Sequence, residues 1–191
     1  MVSKQKKAQK EWNTLSVEVP IEEGVTFTYN KGILTATGPK GTISKNMKYP
    51  NVTIEVQSGR VVIGTKKLSQ REKKIIFTYK AHTQNLMKGV VEGFEYNLVV
   101  VFSKFPMSVA LNGQNLTVKN LLGEKVPRKI TIPQDVKVEI KGKNITVTGI
   151  DKEKTGQVAA NIEQMCRITH LDRRVVQDGI FITNKPHKAY V

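Results

Sequence analysis

Short clusters of basic side chains are the residues of this chain best suited to act on another molecule. Lysine binds phosphate as a point charge, and arginine binds it as a planar fork of donors. The clusters are Lys125, Arg128 and Lys129; Arg173 and Arg174; and Lys185, His187 and Lys188. The first lies among glycine and proline residues, which predicts a loop where a guanidinium can approach phosphate without a helix in the way. A further group around Lys73 is explained equally well as a solvated helix face.

The reactive residues give little evidence for catalysis or for a metal site. The three histidines and the single cysteine, Cys166, are not spaced as metal ligands or as a nucleophile and its base. The Walker A, Gly-x-Gly-x-x-Gly and Gly-x-Ser-x-Gly patterns are absent from the sequence. Cys166 is predicted to be a small buried hydrophobe, and a lone cysteine agrees with a reducing cytoplasm. We therefore predict no enzyme, no metal, no cofactor and no small-molecule substrate.

The charge balance points to a polyanionic partner. The 191 residues include 31 Lys and Arg against 16 Asp and Glu, a formal net charge of +15. Solubility needs no such excess, so rRNA, DNA and an anionic membrane are candidates. Residues 98–102 form the longest apolar run, which is too short to span a bilayer. Aromatic residues are sparse, with 6 Phe, 5 Tyr and 1 Trp, which favours recognition of phosphate, 2′-hydroxyl and shape over base stacking.

The elements that must position these clusters follow from hydrophobic periodicity. Alternating apolar residues predict short strands, and a period of three to four residues predicts two helices. The strands are expected at 15–20, 25–29, 33–37, 42–47, 52–56, 61–63, 99–102, 107–111, 116–119, 123–132, 136–140 and 179–183, and the helices at about 70–90 and 152–167. Ser69 and Glu72 have the form of a capping box at the start of the first helix.

The second half of the chain repeats the first. Val52-x-Ile54-x-Val56 returns as Val136-x-Val138-x-Ile140, 84 positions later. Leu34 and Gly41 have counterparts 82 positions later, Leu116 and Gly123, so a two-residue insertion separates the two offsets. Two unrelated α+β domains could share such a strand-turn-strand pattern. The parallel order of the segments and the near-constant offset between the two halves nevertheless favour duplication.

These patterns predict an α+β protein, a tandem duplication of a small domain with antiparallel β-sheets and one α-helix packed around a single core. Residues 1–13 are expected to form a basic arm, 14–93 the first repeat, 94–184 the second repeat and 185–191 a basic tail.

Five segments resemble the large-subunit ribosomal protein of the universal L-six family, in its archaeal and eukaryotic branch. They are MKGVVEGFEY at 87–96, FSKFPM at 102–107, NLLGEKVPR at 120–128, GQVAANIE at 156–163 and DGIFIT at 178–183. The resemblance runs in the family's order over about residues 15–188.

The resemblance implies a structural protein of the large ribosomal subunit that binds 23S-type rRNA near the sarcin-ricin loop, close to where translational GTPases dock. It implies that neighbouring ribosomal proteins are further partners and that the second domain is the main rRNA-binding part. Carried over to this sequence, it nominates Lys125, Arg128, Lys129, Lys185, His187 and Lys188, with Arg173 and Arg174 as neighbours. A free-standing RNA-binding regulatory module of the same fold is the alternative.

Overall fold

A computed structural model describes residues 15–65 and 69–186, and the backbone of 188–189. The chain divides into two compact units, Met1–Glu92 and Gly93–Val191. The predicted basic arm, residues 1–13, lies outside the described residues, as does His187 of the predicted tail.

The first unit contains six strands and a long helix among its described residues. They are β1 Leu15–Pro20, β2 Thr26–Asn30, β3 Ile33–Gly38, β4 Gly41–Asn46, β5 Val52–Gln57, β6 Arg60–Thr65 and α1 Gln70–Val91. The strands form two antiparallel sheets, ordered β1-β6-β5 and β2-β3-β4. Helix α1 packs against both sheets and buries Ile76, Leu86 and Val90, which recur with the period of one helix face. The core of the first unit thus lies between one helix and two small sheets.

The start of α1 differs from the predicted capping box. The Ser69 hydroxyl donates to the carboxylate of Glu72 and forms no capping bond with the backbone. Glu72 is only 4% exposed, and its Oε1 also accepts from Asn51 Nδ2 at 3.1 Å. A buried carboxylate requires donors. The prediction for Ser69 is therefore wrong because its hydroxyl binds the carboxylate.

The second unit repeats these elements in the same order and then extends them. They are β7 Phe94–Val101, β8 Ser108–Asn112, β9 Asn115–Lys119, a 3-10 turn Leu121–Gly123, β10 Arg128–Thr131, β11 Val136–Lys141, β12 Asn144–Gly149, α2 Lys152–Met165, β13 Gly179–Lys185 and β14 Lys188–Ala189. The sheets are ordered β10-β9-β8 and β11-β12-β7-β13-β14, with every pair antiparallel. Helix α2 packs on both sheets, and its Ile162 is fully buried in the same core as Leu116 and Ile145.

Strand register confirms the predicted duplicated α+β fold. Val61 of β6 pairs with Val19 of β1, and Ile145 of β12, 84 positions after Val61, pairs with Leu98 of β7. The strand order β5-β6-β1 therefore returns as β11-β12-β7, and equivalent positions of the two copies lie opposite each other. Strand β13 pairs with the other edge of β7 and enlarges the sheet of the second copy.

Equivalent hydrogen bonds show where the copies diverge. The main-chain N–H of Met47 donates to the carbonyl of Gly32 at 2.8 Å, and that of Ile132 donates to the carbonyl of Gln114 at 2.7 Å. The acceptors are 82 positions apart and the donors 85, so three residues are inserted between β9 and β10. One residue is lost again before β11, which restores the offset of 84.

The insertion corrects the predicted strand at 123–132. Only Arg128–Thr131 is a strand, and Gly123 ends the 3-10 turn, so it is not the structural equivalent of Gly41. Asn120 and Leu122 have positive φ angles of 62° and 49°, which break the extended backbone.

Candidate nucleic-acid interface

The loop between β9 and β10, residues 120–127, is fixed at its start and exposed at its tip. The side chain of Leu121 is 1% exposed and lies in the core, while Asn120 Nδ2 donates to the carbonyl of Pro106 at 3.1 Å. The N–H of Glu124 donates back to the carbonyl of Leu121 at 2.9 Å. Residues 123–126, including Lys125, are exposed. The loop therefore presents a cation on a backbone that is tied to the core.

Arg128, the first residue of β10, binds a carboxylate and the end of a helix. Its Nε and Nη2 donate to the two carboxylate oxygens of Glu124 at 2.9 and 2.5 Å. Its Nη1 donates to the carbonyl oxygens of Met165 at 2.7 Å and Arg167 at 3.2 Å. These carbonyls lie at the C-terminal end of α2, where intrahelical partners are lacking and the helix dipole is negative. Arg128 therefore joins the loop to the end of α2.

The pairing of Arg128 with Glu124 shifts the pKa of both groups. The hydrogen bond from Arg128 lowers the pKa of the Glu124 carboxyl, and the hydrogen bond to Glu124 raises the pKa of Arg128. Both groups are thus charged around neutral pH, and the carboxylate offsets the guanidinium charge at short range.

Lys129 presents its charge differently. Exposure alternates along β10, where Arg128 and Ile130 are half-buried and Lys129 is exposed. Successive side chains of a strand point to opposite faces, so Lys129 lies on the outer face of its sheet. The exposed cations of this first predicted cluster are Lys125 and Lys129.

Arg173 and Arg174, the second predicted cluster, line a cleft between the end of α2 and the start of β13. The cleft has a volume of about 710 Å³, and Arg167 also lines it. Arg174 binds the carboxylate of Asp172 with contacts of 3.2 and 3.0 Å. Because Arg167 lines the cleft and its carbonyl accepts from Arg128, the structure brings Arg128 of the first cluster to the same end of α2 as the second cluster.

The third predicted cluster lies elsewhere. Lys185 ends β13 and pairs in register with Lys188 of β14, whose side chain is outside the described part of the structure. Gly179, which lines the cleft, begins the same strand. At about 3.3 Å per residue, Lys185 is about 20 Å further along the strand. The tail is therefore a separate basic segment.

Sequence reasoning missed three residues of the cleft, which are Arg167, Asp178 and Phe181. Arg167 carried a weak signal, as a cation just beyond a helix end. Asp178 and Phe181 fall in a segment that resembles the family, yet no spacing rule assigns a role to either residue.

Reactive groups are few in the described structure. Cys166 is 3% exposed, as predicted for a buried hydrophobe, and burial raises the pKa of its thiol to about 11. His82 Nδ1 lies 3.1 Å from Lys45 Nζ. Across residues 15–65 and 69–186, no group of three or more His, Cys, Asp and Glu side chains is arranged to hold a metal ion. Neither described helix has the length and apolar character needed to cross a membrane.

Comparison with known proteins first gives the class. The family model described as "Ribosomal protein L6" matches residues 105–179, which include the β9–β10 loop and most of the residues that line the cleft. The duplicated basic fold and this match define a structural, non-enzymatic protein of the ribosome, in agreement with the prediction that the chain is no enzyme.

Relatives over nearly the full length give the family. Proteins named "Large ribosomal subunit protein uL6" are 42% identical over 170 residues in Methanosarcina mazei and 45% identical over 167 residues in Methanococcoides burtonii. The matches cover 89% and 87% of this chain and 96% and 94% of the relatives. The Haloarcula marismortui protein of that name is 40% identical over 173 residues, 91% of this chain and 97% of its own length. The chain belongs to the uL6 family of large ribosomal subunit proteins, which confirms the resemblance seen in its sequence.

Proposed function

We propose that this protein is a structural constituent of the large ribosomal subunit in the cytoplasm, where it binds large-subunit, 23S-type rRNA near the sarcin-ricin loop. Its partners are this rRNA and neighbouring ribosomal proteins, and it supports the region where translational GTPases dock. The second unit, residues 94–184 with the basic tail after it, is the main rRNA-binding part.

The observation that carries the proposal is that Arg128 of the first basic cluster lies at the same end of α2 as Arg173 and Arg174 of the second. Arg128 connects the loop bearing Lys125 to Arg167 in the wall of the cleft. A net charge of +15 gives the long-range attraction to a polyanion, and exposed cations on fixed backbone give it a place to bind. Phosphate contacts of this kind fix the register of a protein on RNA without reading its sequence.

Charge reversal at Lys125 and Lys129 tests the site while Arg128 is kept. The control reverses Lys137 and Lys141, two exposed lysines on β11 whose side chains are 75% and 82% exposed. Both double variants change the net charge equally, so long-range attraction falls equally and the difference between them reports local contacts. The measurement is the Kd for a sarcin-ricin rRNA fragment between about 50 and 200 mM salt.

The Lys125→Glu, Lys129→Glu variant should bind at least about tenfold more weakly than the control, with a salt slope shallower by about 2. Equal Kd values and equal slopes for the two double variants would remove Lys125 and Lys129 from the interface.

The alternative is a free-standing RNA-binding regulatory module of the same fold. Co-sedimentation with large subunits separates the two functions, because a built-in constituent stays with the particle at moderate salt while a free module is stripped from it.

A further inference from the structure

The cleft at the end of α2 contains features that phosphate binding alone does not use. We propose that it binds a single unstacked nucleotide of RNA, with the base against Asp178 and Phe181 and the phosphate against Arg167 and Arg173. This inference rests on the proposed function, since it names how the same unit binds RNA.

Asp178 supplies the polar group at the inner side of the cleft. The residue is 3% exposed, and its Oδ1 accepts from the Ser103 N–H at 3.0 Å and from the Ser103 hydroxyl at 2.9 Å. Within the described residues, Oδ2 is buried and has no hydrogen-bond partner. Burying a carboxylate oxygen without a donor is costly, and hydrogen bonds to charged groups are strong. A ligand that brings an N–H donor is therefore favoured here.

The lining also includes Glu163, whose Oε1 accepts from the Ile182 N–H at 3.3 Å, and the apolar part of the wall suits a flat aromatic ring. Val101, Ile168 and Val176 line the cleft together with the ring of Phe181. A Cβ on Gly179 would lie 3.3 Å from Phe181 Cζ, so the glycine leaves room beside the ring. Unstacked bases are commonly bound by stacking on aromatic side chains with hydrogen bonds to their edges. The volume of about 710 Å³ is in the usual range for ligand pockets and accommodates one nucleotide.

The charge at the cleft decides between RNA and a protein partner. Arg167 and Arg173 are exposed, and neither forms an ion pair with another described residue. A lysine or arginine of a neighbouring protein could also reach Asp178, but it would have to pass these two like charges. A nucleotide carries its negative phosphate and its neutral base together, which matches cations outside and an acceptor inside.

Access to Oδ2 requires a small movement of one wall. Residues 167–178 pair with no strand, and their backbone hydrogen bonds among described residues are local, such as those from the N–H groups of Val175 and Val176 to the carbonyl of Asp172. Such segments open at low free-energy cost. Nucleotide binding is therefore expected to shift the amide signals of this segment.

Guanine fits the single acceptor best, because its N1–H and N2–H₂ groups are adjacent donors. Hypoxanthine and uracil each offer one N–H donor, and the larger purine ring of hypoxanthine stacks over more of Phe181. The order of affinity expected for the full chain is GMP above inosine monophosphate, which lacks the exocyclic amino group, and inosine monophosphate above UMP.

The experiment titrates the full-length protein with GMP, inosine monophosphate and UMP and follows backbone amide shifts by NMR. Asp178→Asn keeps an oxygen for Ser103 but places an NH₂ group at the second position, so GMP affinity should fall about tenfold. Asp135→Asn changes an exposed aspartate outside the cleft and is the control, expected to bind GMP like the unchanged protein. Phe181→Leu should weaken all three nucleotides by a similar factor because it removes the stacking ring. Thermal unfolding of each variant checks that the fold is retained.

The inference is overturned if the nucleotides shift no cleft amides, if GMP and UMP bind equally, or if N-acetyl-arginine amide shifts the same amides more strongly than GMP. Binding of the sarcin-ricin rRNA fragment is measured in parallel. Loss of the nucleotide effect with rRNA binding intact rejects the cleft alone, whereas absence of rRNA binding rejects the proposed function.

Discussion

Lys40 and Arg128 donate to the same structural element in the two copies of the domain, the carbonyl groups at the C-terminal end of the helix. The N–H of Lys40 donates to the carbonyl of Val90 at 2.9 Å, and its Nζ donates to the carbonyl of Glu92. Arg128, the first residue of β10, reaches Met165 from just after the corresponding connection between strands. One cation in each copy is thus committed to the fold. Lys125 in the lengthened connection and Lys129, at the β10 position equivalent to Ser44 of β4, are additional cations in the second copy.

Replacing Arg128 should lower the free energy of unfolding by more than the removal of one exposed positive charge does. Arg128→Ala removes four hydrogen bonds, leaves the Met165 carbonyl without this donor, and should lower the free energy of unfolding by about 1–3 kcal/mol. Lys129→Ala removes the same charge from the outer face and should change stability by no more than about 0.5 kcal/mol. Urea denaturation measures both, and equal values would show that the contacts of Arg128 contribute nothing net.

The Glu124–Arg128 pair should make stability depend on acid. Because the hydrogen bond lowers the pKa of Glu124 in the folded protein, its stabilisation is complete above the ordinary pKa of about 4.3 and is lost as pH falls through the lowered value. The side chains of Arg128 and Glu124 are 30% and 40% exposed, respectively, so the effect should be about 0.2–1 kcal/mol. Glu124→Gln should remove this part of the stability curve between about pH 5 and pH 2. Curves that remain parallel across that range would contradict the assignment.

The sequence predicted well the features that depend on local burial. Val52 and Ile54 alternate with exposed residues because one face of the strand is covered, and the 3.6-residue period of α1 has the same origin. Contacts between distant residues leave no such period. Arg128 donates to the carbonyl of Met165, 37 positions away in the sequence, and Asp178 accepts from Ser103, 75 positions away.

Those distant contacts explain what the sequence did not predict. That Arg128 binds RNA phosphate stays a prediction, and its hydrogen bonds to the carbonyl groups at the end of α2 are contacts that no sequence pattern indicates. The sequence pattern predicts that Ser69 caps the backbone, because it does not show that Glu72 is buried. The burial of Glu72 against Asn51 is a tertiary effect. The cleft itself depends on a segment without regular structure, where periodicity carries no information.

The burial of Cys166 should make its thiol unreactive in the native protein. Its pKa of about 11 leaves little thiolate at about pH 8, and its side chain is almost fully covered. Iodoacetamide should therefore label the urea-unfolded protein at least about tenfold faster than the folded one, measured by mass spectrometry at that pH.

The same burial makes stability fall in alkali. The folded state keeps the proton above the ordinary thiol pKa of about 8.5, whereas the unfolded state loses it. The free energy of unfolding should therefore decrease between about pH 8.5 and pH 11 by more in the unchanged protein than in Cys166→Ala. A thiol labelled equally fast in both states would show that the site opens readily.

The contact between Gly38 and Val90 should set how closely α1 approaches its sheet. A Cβ on Gly38 would lie 2.8 Å from Val90 Cγ2 and 3.1 Å from the Val90 carbonyl oxygen, and Val90 is fully buried. Gly38 does not have a positive φ, so Gly38→Ala introduces crowding without backbone strain and should cost about 1–3 kcal/mol. Val90→Ala alone should cost about 2 kcal/mol through the cavity it leaves. In the double variant the two changes relieve each other in part, so its loss should be smaller than the sum of the single losses by about 1 kcal/mol. Urea denaturation of the four proteins measures this coupling, and simple additivity would show that the helix moves away from the sheet without cost.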